Sequence, residues 1–125
     1  YALVGNEAEA GAHGDLRGRL RGAMERIARE TEDSVYLSVI SRGEALCVDK
    51  VLGVYPVSVN TLDIGARRPL GTGGGSMALL CALPPEEQVR VIAANQERYQ
   101  RYGRLTADIV EAGIRFYRRT GYAFN

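Results

Sequence analysis

The chain has 125 residues, 46% of them hydrophobic and 25% charged, and its formal net charge is +1. These values are typical of one ordinary globular domain with its own core, and they exclude the strongly basic surface of a nucleic-acid-binding module. Because no apolar run could span a membrane and the first residues do not form a signal peptide, we expect a cytoplasmic protein.

The cysteines and the histidine exclude two kinds of site. Cys47 and Cys81 each lie in an apolar stretch, which favours buried free thiols over a disulfide. Two scattered cysteines and the single histidine, His13, lack the spacing of metal ligands, so we expect neither a metal nor another cofactor. His13 lies in a small, polar segment, where a solvated residue is a better interpretation than a catalyst.

The first long element predicted from the sequence is an amphipathic helix. Residues 1–14 are predicted to be the end of a strand and a linker, and Asp15 is a good N-cap for a helix that runs to about Thr31. Its arginines lie mostly away from the apolar face, where acidic residues balance them, so a solvated or subunit-facing surface is favoured over contact with DNA. The apolar face contains Leu16, Leu20, Met24, Ile27 and Ala28.

Three strands are predicted to follow this helix. Residues 34–40 and 45–51 favour a hairpin, with Gly43 supplying the positive φ that such turns need. Residues 57–62 predict a third strand that carries Asn60 among apolar residues. A polar side chain at that position faces either solvent or a pocket in which it needs a partner, and both interpretations stay open.

The most distinctive stretch is residues 67–76, RRPLGTGGGS, followed by an apolar run that predicts a short buried helix. The stretch lacks the lysine of a phosphate-binding loop and the glycine order of a dinucleotide fingerprint, which argues against both. Two interpretations remain. The glycines could offer backbone donors to an anion at the helix N-terminus, or they could simply let the helix pack tightly on a sheet.

Two further helices are predicted after this stretch. The first begins at Pro84-Pro85-Glu86-Glu87, ends near Gly103, and has Val89, Ile92, Tyr99 and Tyr102 on its buried side. The second is capped by Thr106 and ends at Gly121, with Val110, Ile114 and Tyr117 inside. A new extended segment then starts, which leaves an open sheet edge, so we expect the 125 residues to be part of a longer protein.

Taken in order, these features resemble the effector-binding domain of the IclR family of bacterial transcription regulators. The resemblance covers nearly the whole chain, including the long helix, the hairpin and Gly121-Tyr122. Tyr1-x-Leu3 with Gly5 is similar to the last strand of the family's winged helix. The most similar stretch consists of Gly65-x-Arg67-Arg68-Pro69-Leu70, the glycine loop and Ala78-Leu79-Leu80-x-x-Leu83-Pro84.

The resemblance implies an α+β fold that is GAF-like, a curved antiparallel sheet flanked by helices, with only part of the sheet in this segment. It implies that residues 1–14 are the end of the winged-helix wing and an interdomain linker. Residues 15–125 would be the effector-binding domain, incomplete at its C-terminus. The implied partners are a small carboxylic-acid effector, operator DNA bound by a helix-turn-helix domain outside this segment, and other copies in a homodimer or homotetramer.

The resemblance also implies a site. In that family the glycine loop and the helix N-terminus contact the effector's carboxylate, while the third strand lines the pocket and the helix closes it. The implied effector-binding residues are Thr72, Gly73, Gly74, Gly75, Ser76, Asn60, Leu62 and Met77. Many members carry a lysine where Met77 stands, so any charge at this loop would come from Arg67 or Arg68.

The function implied is therefore that of a sensor that controls DNA binding, and not that of an enzyme. Two alternatives differ in class. The first is a ligand-free dimerisation module, which a solid core in place of a pocket would favour. The second is an enzyme acting on a small acid or nucleotide, but the sequence contains no converging pair of acidic residues, and its one histidine lies in the predicted linker.

Overall fold

The computed structural model describes residues 2–5, 10–54 and 62–123, with side chains from residue 14 onward. The described residues form four strands and four helices, which confirms the predicted α+β class. The strands are β1 (Ala2–Gly5), β2 (Val35–Ser41), β3 (Glu44–Val51) and β4 (Arg67–Pro69). The helices are α1 (Ala10–Thr31), α2 (Gly74–Cys81), α3 (Pro85–Tyr99) and α4 (Ala107–Thr120).

The strands follow one another across the sheet in the order β1-β2-β3-β4. β1 pairs parallel to β2, with Ala2 opposite Tyr36. β2 and β3 form the predicted hairpin, whose two turn residues, Arg42 and Gly43, have φ values of 54° and 76°. Positive φ at both central positions matches the twist of the flanking strands, which explains the glycine in this turn.

The chain divides into two compact units. The first contains the residues up to Arg42 together with Leu46–Arg67, and therefore holds β1, α1, β2 and most of β3. The second contains Gly43–Ala45 and the residues from Arg68 onward, and therefore holds α2, α3 and α4.

The core of the first unit lies between α1 and the strands β2 and β3. The predicted apolar face of α1 is confirmed, since Met24 is fully buried and Leu20 and Ile27 pack against the same cluster. The helix begins at Ala10 and not at Asp15, so residues 10–14 are helical where a linker was predicted. The buried members of the cluster are Leu16, Met24, Ala28, Val35, Leu37, Val39 and Val48.

The turn after α1 is closed by a tight backbone contact. Glu32 has a φ of 64°, and its carbonyl accepts a hydrogen bond of 3.1 Å from the Val54 amide. The Gly53 amide donates to the Ser34 hydroxyl at 3.0 Å. A Cβ on Gly53 would lie 2.2 Å from the Glu32 carbonyl oxygen, so the chain at the end of β3 can approach this turn only as glycine.

The second unit is helical, and its caps agree with the sequence. The Thr106 hydroxyl accepts from the Ile109 amide at the start of α4, and Gly121 ends that helix with a φ of 82°. Val110 and Ile114 are buried as predicted. α2 starts at Gly74, so Gly74 and Gly75 lie in its first turn, whereas Gly71 and Gly73 precede the helix.

The predicted buried side of α3 was partly wrong. Ile92 and Tyr99 are buried, but Val89 is 68% exposed and Tyr102, which lies beyond the helix, is 40% exposed. Gln88 and Asn95 are buried instead, each with its side-chain amide donating to backbone carbonyls. The helix ends at Tyr99, before the predicted stop at Gly103.

Three other expectations concern the third strand, the cysteines and a membrane-spanning helix. The predicted strand over residues 57–62 lies outside the described residues, apart from Leu62, which is not in a strand. Both cysteines are free, with Cys47 buried and Cys81 half-buried. In the described parts of the chain, no helix is both long and apolar enough to cross a membrane.

Candidate functional site

The glycine loop is a tight turn between β4 and α2. Gly71 and Gly73 have φ values of 106° and 83°, which explains why glycine stands at both positions. Thr72 closes the turn, because its amide and its hydroxyl both donate to the Pro69 carbonyl, at 3.3 and 2.8 Å. The Thr72 side chain is buried and therefore shapes the loop from inside.

Ser76, in the first turn of α2, holds the loop from its other end. Its hydroxyl donates to the Pro69 carbonyl and accepts from the Gly71 amide, both at 3.0 Å. Like Thr72, Ser76 is buried, and both hydroxyls of the predicted site are thus engaged with the loop's own backbone. What the loop presents outward is its backbone.

The loop rests on α3 and α4. The Tyr99 hydroxyl donates to the Leu70 carbonyl at 2.7 Å. A Cβ on Gly71 would lie 3.1 Å from Val110 and 3.2 Å from that hydroxyl, so the loop touches both helices. Burial of Tyr99 raises its pKa to about 12, and the phenol therefore stays a hydrogen-bond donor at neutral pH.

The start of α2 has backbone amides that lack an acceptor within the helix. Its N-cap is Gly73, which has no side chain to accept from the first turn, and the first intrahelical bond runs from the Met77 amide to the Gly73 carbonyl at 2.9 Å. The amides of Gly74, Gly75 and Ser76 have no acceptor within a regular helix. Together with the helix dipole, such amides favour a bound anion.

The two arginines of β4 have different partners. Arg67 donates to the carbonyl and the hydroxyl of Ser41, each at 3.1 Å, and so belongs to the structure of the first unit. One guanidinium nitrogen of Arg68 lies 3.6 Å from where a Cβ would stand on Gly73. Within the described part of the chain, no hydrogen bond or ion pair involves the half-buried Arg68 side chain. A cation for which the described residues supply no hydrogen-bond or ion-pair partner therefore lies beside the N-cap of α2.

The remaining predicted residues are not brought to this loop as a group. Asn60 lies outside the described residues, and Leu62 is half-buried in the loop before β4. Met77 is buried, and a Cβ on Gly113 would lie 2.7 Å from its terminal methyl, so this side chain packs between α2 and α4. Among the described residues, no group of three or more histidines, cysteines, aspartates or glutamates could hold a metal ion.

Sequence reasoning missed two residues of this region. Tyr99 was assigned only to the buried face of its helix, and nothing in its spacing indicates a bond to the glycine loop. Gln88 was not singled out, yet its amide nitrogen donates to Leu83 at 3.0 Å and to Leu80 and Cys81 at 3.3 Å. The spacing of positions 88, 92, 95 and 99 would have predicted this face if buried polar residues had been allowed on it.

The described residues form an α+β domain in which a glycine loop opens a short buried helix. Residues 9–125 match the family model described as the bacterial transcriptional regulator IclR C-terminal domain. The chain therefore belongs to the IclR family and contains the C-terminal, effector-binding domain of that family.

Individual relatives agree with this assignment. The chain is 36% identical over 73 residues to the HTH-type transcriptional regulator KipR of Bacillus subtilis, covering 58% of this chain and 29% of KipR. The crystal structure of Thermotoga maritima IclR is similar with a TM-score of 0.75 and 18% identity, over 86% of this chain and 43% of that one.

A second solved structure is an IclR homologue from Microbacterium hydrocarbonoxydans in complex with 4-hydroxybenzoate. Its TM-score is 0.72 at 21% identity, with 87% of this chain and 45% of that chain covered. At these identities the structures support the fold. The chain spans less than half the length of each of these three relatives.

Proposed function

We propose that this chain is the effector-binding and oligomerisation domain of an IclR-type transcription regulator, and that it senses a small carboxylic acid. The observation that carries the proposal is the Arg68 guanidinium beside the uncapped, glycine-built N-terminus of α2. A carboxylate there would accept backbone amide bonds from Gly74 and Gly75 and a charged bond from Arg68. Hydrogen bonds of this charge-assisted kind are about twice as strong as neutral ones.

The built-in rigidity of the loop supports the same proposal. The hydroxyls of Thr72 and Ser76 and the phenol of Tyr99 hold the loop backbone through bonds of 2.7 to 3.0 Å. A ligand that meets amides already fixed in place does not have to order them, and this improves affinity. We therefore assign Thr72 and Ser76 to shaping the site, and Gly74, Gly75 and Arg68 to contacting the effector.

The rest of the regulator is proposed from the family. A helix-turn-helix domain outside this segment would bind operator DNA, and two or four copies would assemble in the cytoplasm. The effector would act by binding one arrangement of the subunits more tightly than another, since a ligand shifts an equilibrium only by its difference in affinity for the two states. We propose no catalytic residue in this domain.

The experiment is a thermal-shift and calorimetric screen of the full-length protein against small carboxylic acids, beginning with 4-hydroxybenzoate because the Microbacterium homologue binds it. Each acid is paired with its primary amide. We expect one class of acid to stabilise the protein, by about 2.7 kcal/mol at a hundred times its dissociation constant, and its amide not to.

Variants assign any hit to the loop. Gly74→Leu should abolish binding while the protein stays folded, because a Cβ there meets only the Ala123 carbonyl at 3.8 Å. Arg68→Gln should weaken binding by about tenfold to a hundredfold, as expected for the loss of one charged hydrogen bond. Arg104→Gln, at an exposed position, is the control. Unchanged affinity in Gly74→Leu would refute the loop's role, and a flat panel would favour a ligand-free dimerisation module.

A further inference from the structure

Residues 14–22 of α1 contain three glycines that no neighbour among the described residues requires. Gly14, Gly18 and Gly22 recur one turn apart, and a Cβ added at any of them would meet no atom within 4 Å. Each glycine lowers helix stability relative to alanine because it gives the unfolded chain more freedom. Alanine would fit at all three positions, so the weakness is not imposed by a neighbour in the described residues.

The apolar contacts that hold α1 on the sheet are concentrated in its second half. Met24 and Ala28 are 0% and 5% exposed, and Ile27 packs against the same cluster. The first half contributes Leu16, which is a buried member of the cluster, and Leu20, which is only partly buried. Hydrophobic burial therefore anchors residues 23–31 more firmly than residues 14–22.

A buried carboxylate provides the other attachment of the first half. Asp49 of β3 is 3% exposed, and its Oδ1 accepts from Arg21 at 3.0 Å and from the Lys50 amide at 2.9 Å. Arg17 reaches the same oxygen at 3.9 Å. Arg21 also donates to the Lys50 carbonyl at 3.0 Å. Both arginines lie in the glycine-containing turns, so the ion pairs with Asp49 add to the apolar contacts of Leu16 and Leu20 in holding this half of the helix.

We propose that residues 14–22 of α1 form a conformational switch, which is helical on β3 while Asp49 holds Arg17 and Arg21 and opens as a local unit when that contact is broken. A buried carboxylate that loses its cation is costly unless water reaches it. The helix is therefore expected to be either bound to Asp49 or open, with no stable state between the two. The second half of α1 stays on the core in both states. A regulatory role for this switch rests on the proposed function, whereas the opening of residues 14–22 is independent of that function.

Hydrogen exchange on the full-length protein tests the proposal. In Asp49→Asn, amides in residues 14–22 should exchange about tenfold faster, while those of β2 keep their wild-type rates, because only the local opening is made easier. Arg21→Gln should have the same effect and serves as a second test if Asp49→Asn fails to fold. Replacing Gly14, Gly18 and Gly22 together by alanine should slow exchange in this segment about tenfold.

Arg26→Gln is the matched control, because it removes an exposed arginine from the same helix away from Asp49. It should leave the exchange of residues 14–22 unchanged. Two results would overturn the proposal: equal acceleration in α1 and β2, which is global destabilisation, or no acceleration in either the Asp49 or the Arg21 variant. Neither result depends on whether the glycine loop binds a carboxylate, so failure here leaves the proposed effector site standing.

Discussion

At the scale of single residues, Tyr99 shows how a buried polar group can hold the glycine loop from a distant helix. Its ring is fully buried in the second unit, and its hydroxyl reaches the Leu70 carbonyl, one residue before the first loop glycine. Leu70 is itself buried, so its carbonyl oxygen would be costly to leave without a donor. Tyr99 thus fixes the position from which the glycine loop turns.

We expect Tyr99→Phe to lower the free energy of unfolding by about 1–3 kcal/mol at pH 7, because the Leu70 carbonyl loses its donor. Urea denaturation measures the change. Tyr102→Phe removes a hydroxyl from an exposed ring and should be close to neutral. A Tyr99 variant as stable as the Tyr102 variant would contradict the assigned role.

The raised pKa of Tyr99 makes the free energy of unfolding depend on pH in the alkaline range. Burial raises this pKa from 10.0 to about 12, so the folded state holds the phenolic proton more tightly than the unfolded state. Stability from this group is complete below pH 10 and is lost as the pH rises towards 12. The decline in unfolding free energy across this window should therefore be shallower in Tyr99→Phe, and equal slopes would contradict the burial of the phenol.

At the scale of elements, α2 is a helix of eight residues in which the described side chains hydrogen-bond to the C-terminal carbonyls but not to the N-terminal amides. Its N-terminus has no side-chain cap, so no cap side chain accepts from its first amides. Its C-terminal carbonyls are served by Gln88 from the next helix, whose oxygen accepts from Arg118 at 3.4 Å. Among the described residues, side chains therefore satisfy the backbone groups of α2 only at the end away from the proposed effector.

Replacing Gln88 tests whether its hydrogen bonds to the C-terminal carbonyls of α2 stabilise the protein. Gln88→Leu keeps the volume and burial but removes the donor, so we expect unfolding free energy to fall by about 1–3 kcal/mol. Gln96→Leu, at an exposed position of the same helix, is the control and should change stability little. A Gln88 variant no less stable than this control would mean that water serves the carbonyls equally well.

At the scale of the whole molecule, the core of the first unit determines whether α1 has a sheet to pack on. Leu37 is fully buried in the middle of β2, and Leu37→Ala should cost about 2–5 kcal/mol of unfolding free energy. Leu52→Ala removes the same atoms from a side chain that is 62% exposed and should cost far less. Chemical denaturation of both variants makes the comparison, and similar losses would place Leu37 outside the core.

Much of the fold could be predicted because it depends on local chemistry. The face of α1 with Met24, the Gly43 turn and the Thr106 cap each follow from spacing or from one residue's conformational preference. The start of α1 was predicted too late because Asp15 is a good cap, yet the helix continues through glycines back to Ala10. On α3, an apolar residue was expected to be buried, but Gln88 could be buried in place of Val89 because its amide finds carbonyl partners.

The candidate site could be predicted only in outline. The glycines allowed two interpretations, an anion site or tight packing of the helix, since positive φ and free amides depend on the loop's own sequence. The anion site stays a prediction. The approach of Arg68 to Gly73 and the bond from Tyr99 depend on how distant segments pack, and no local pattern encodes that. The assignment of Asn60, Leu62 and Met77 to a pocket stays a prediction.

The glycine at the end of β3 has a consequence for the gene. Every missense change in the Gly53 codon adds a Cβ 2.2 Å from a backbone oxygen that no rotamer change can move aside. The codons for Gly14, Gly18 and Gly22 are the opposite case, because alanine there meets no atom. A substitution at position 53 is therefore expected to disrupt folding, whereas alanine at position 14, 18 or 22 would cause no steric conflict with the described residues.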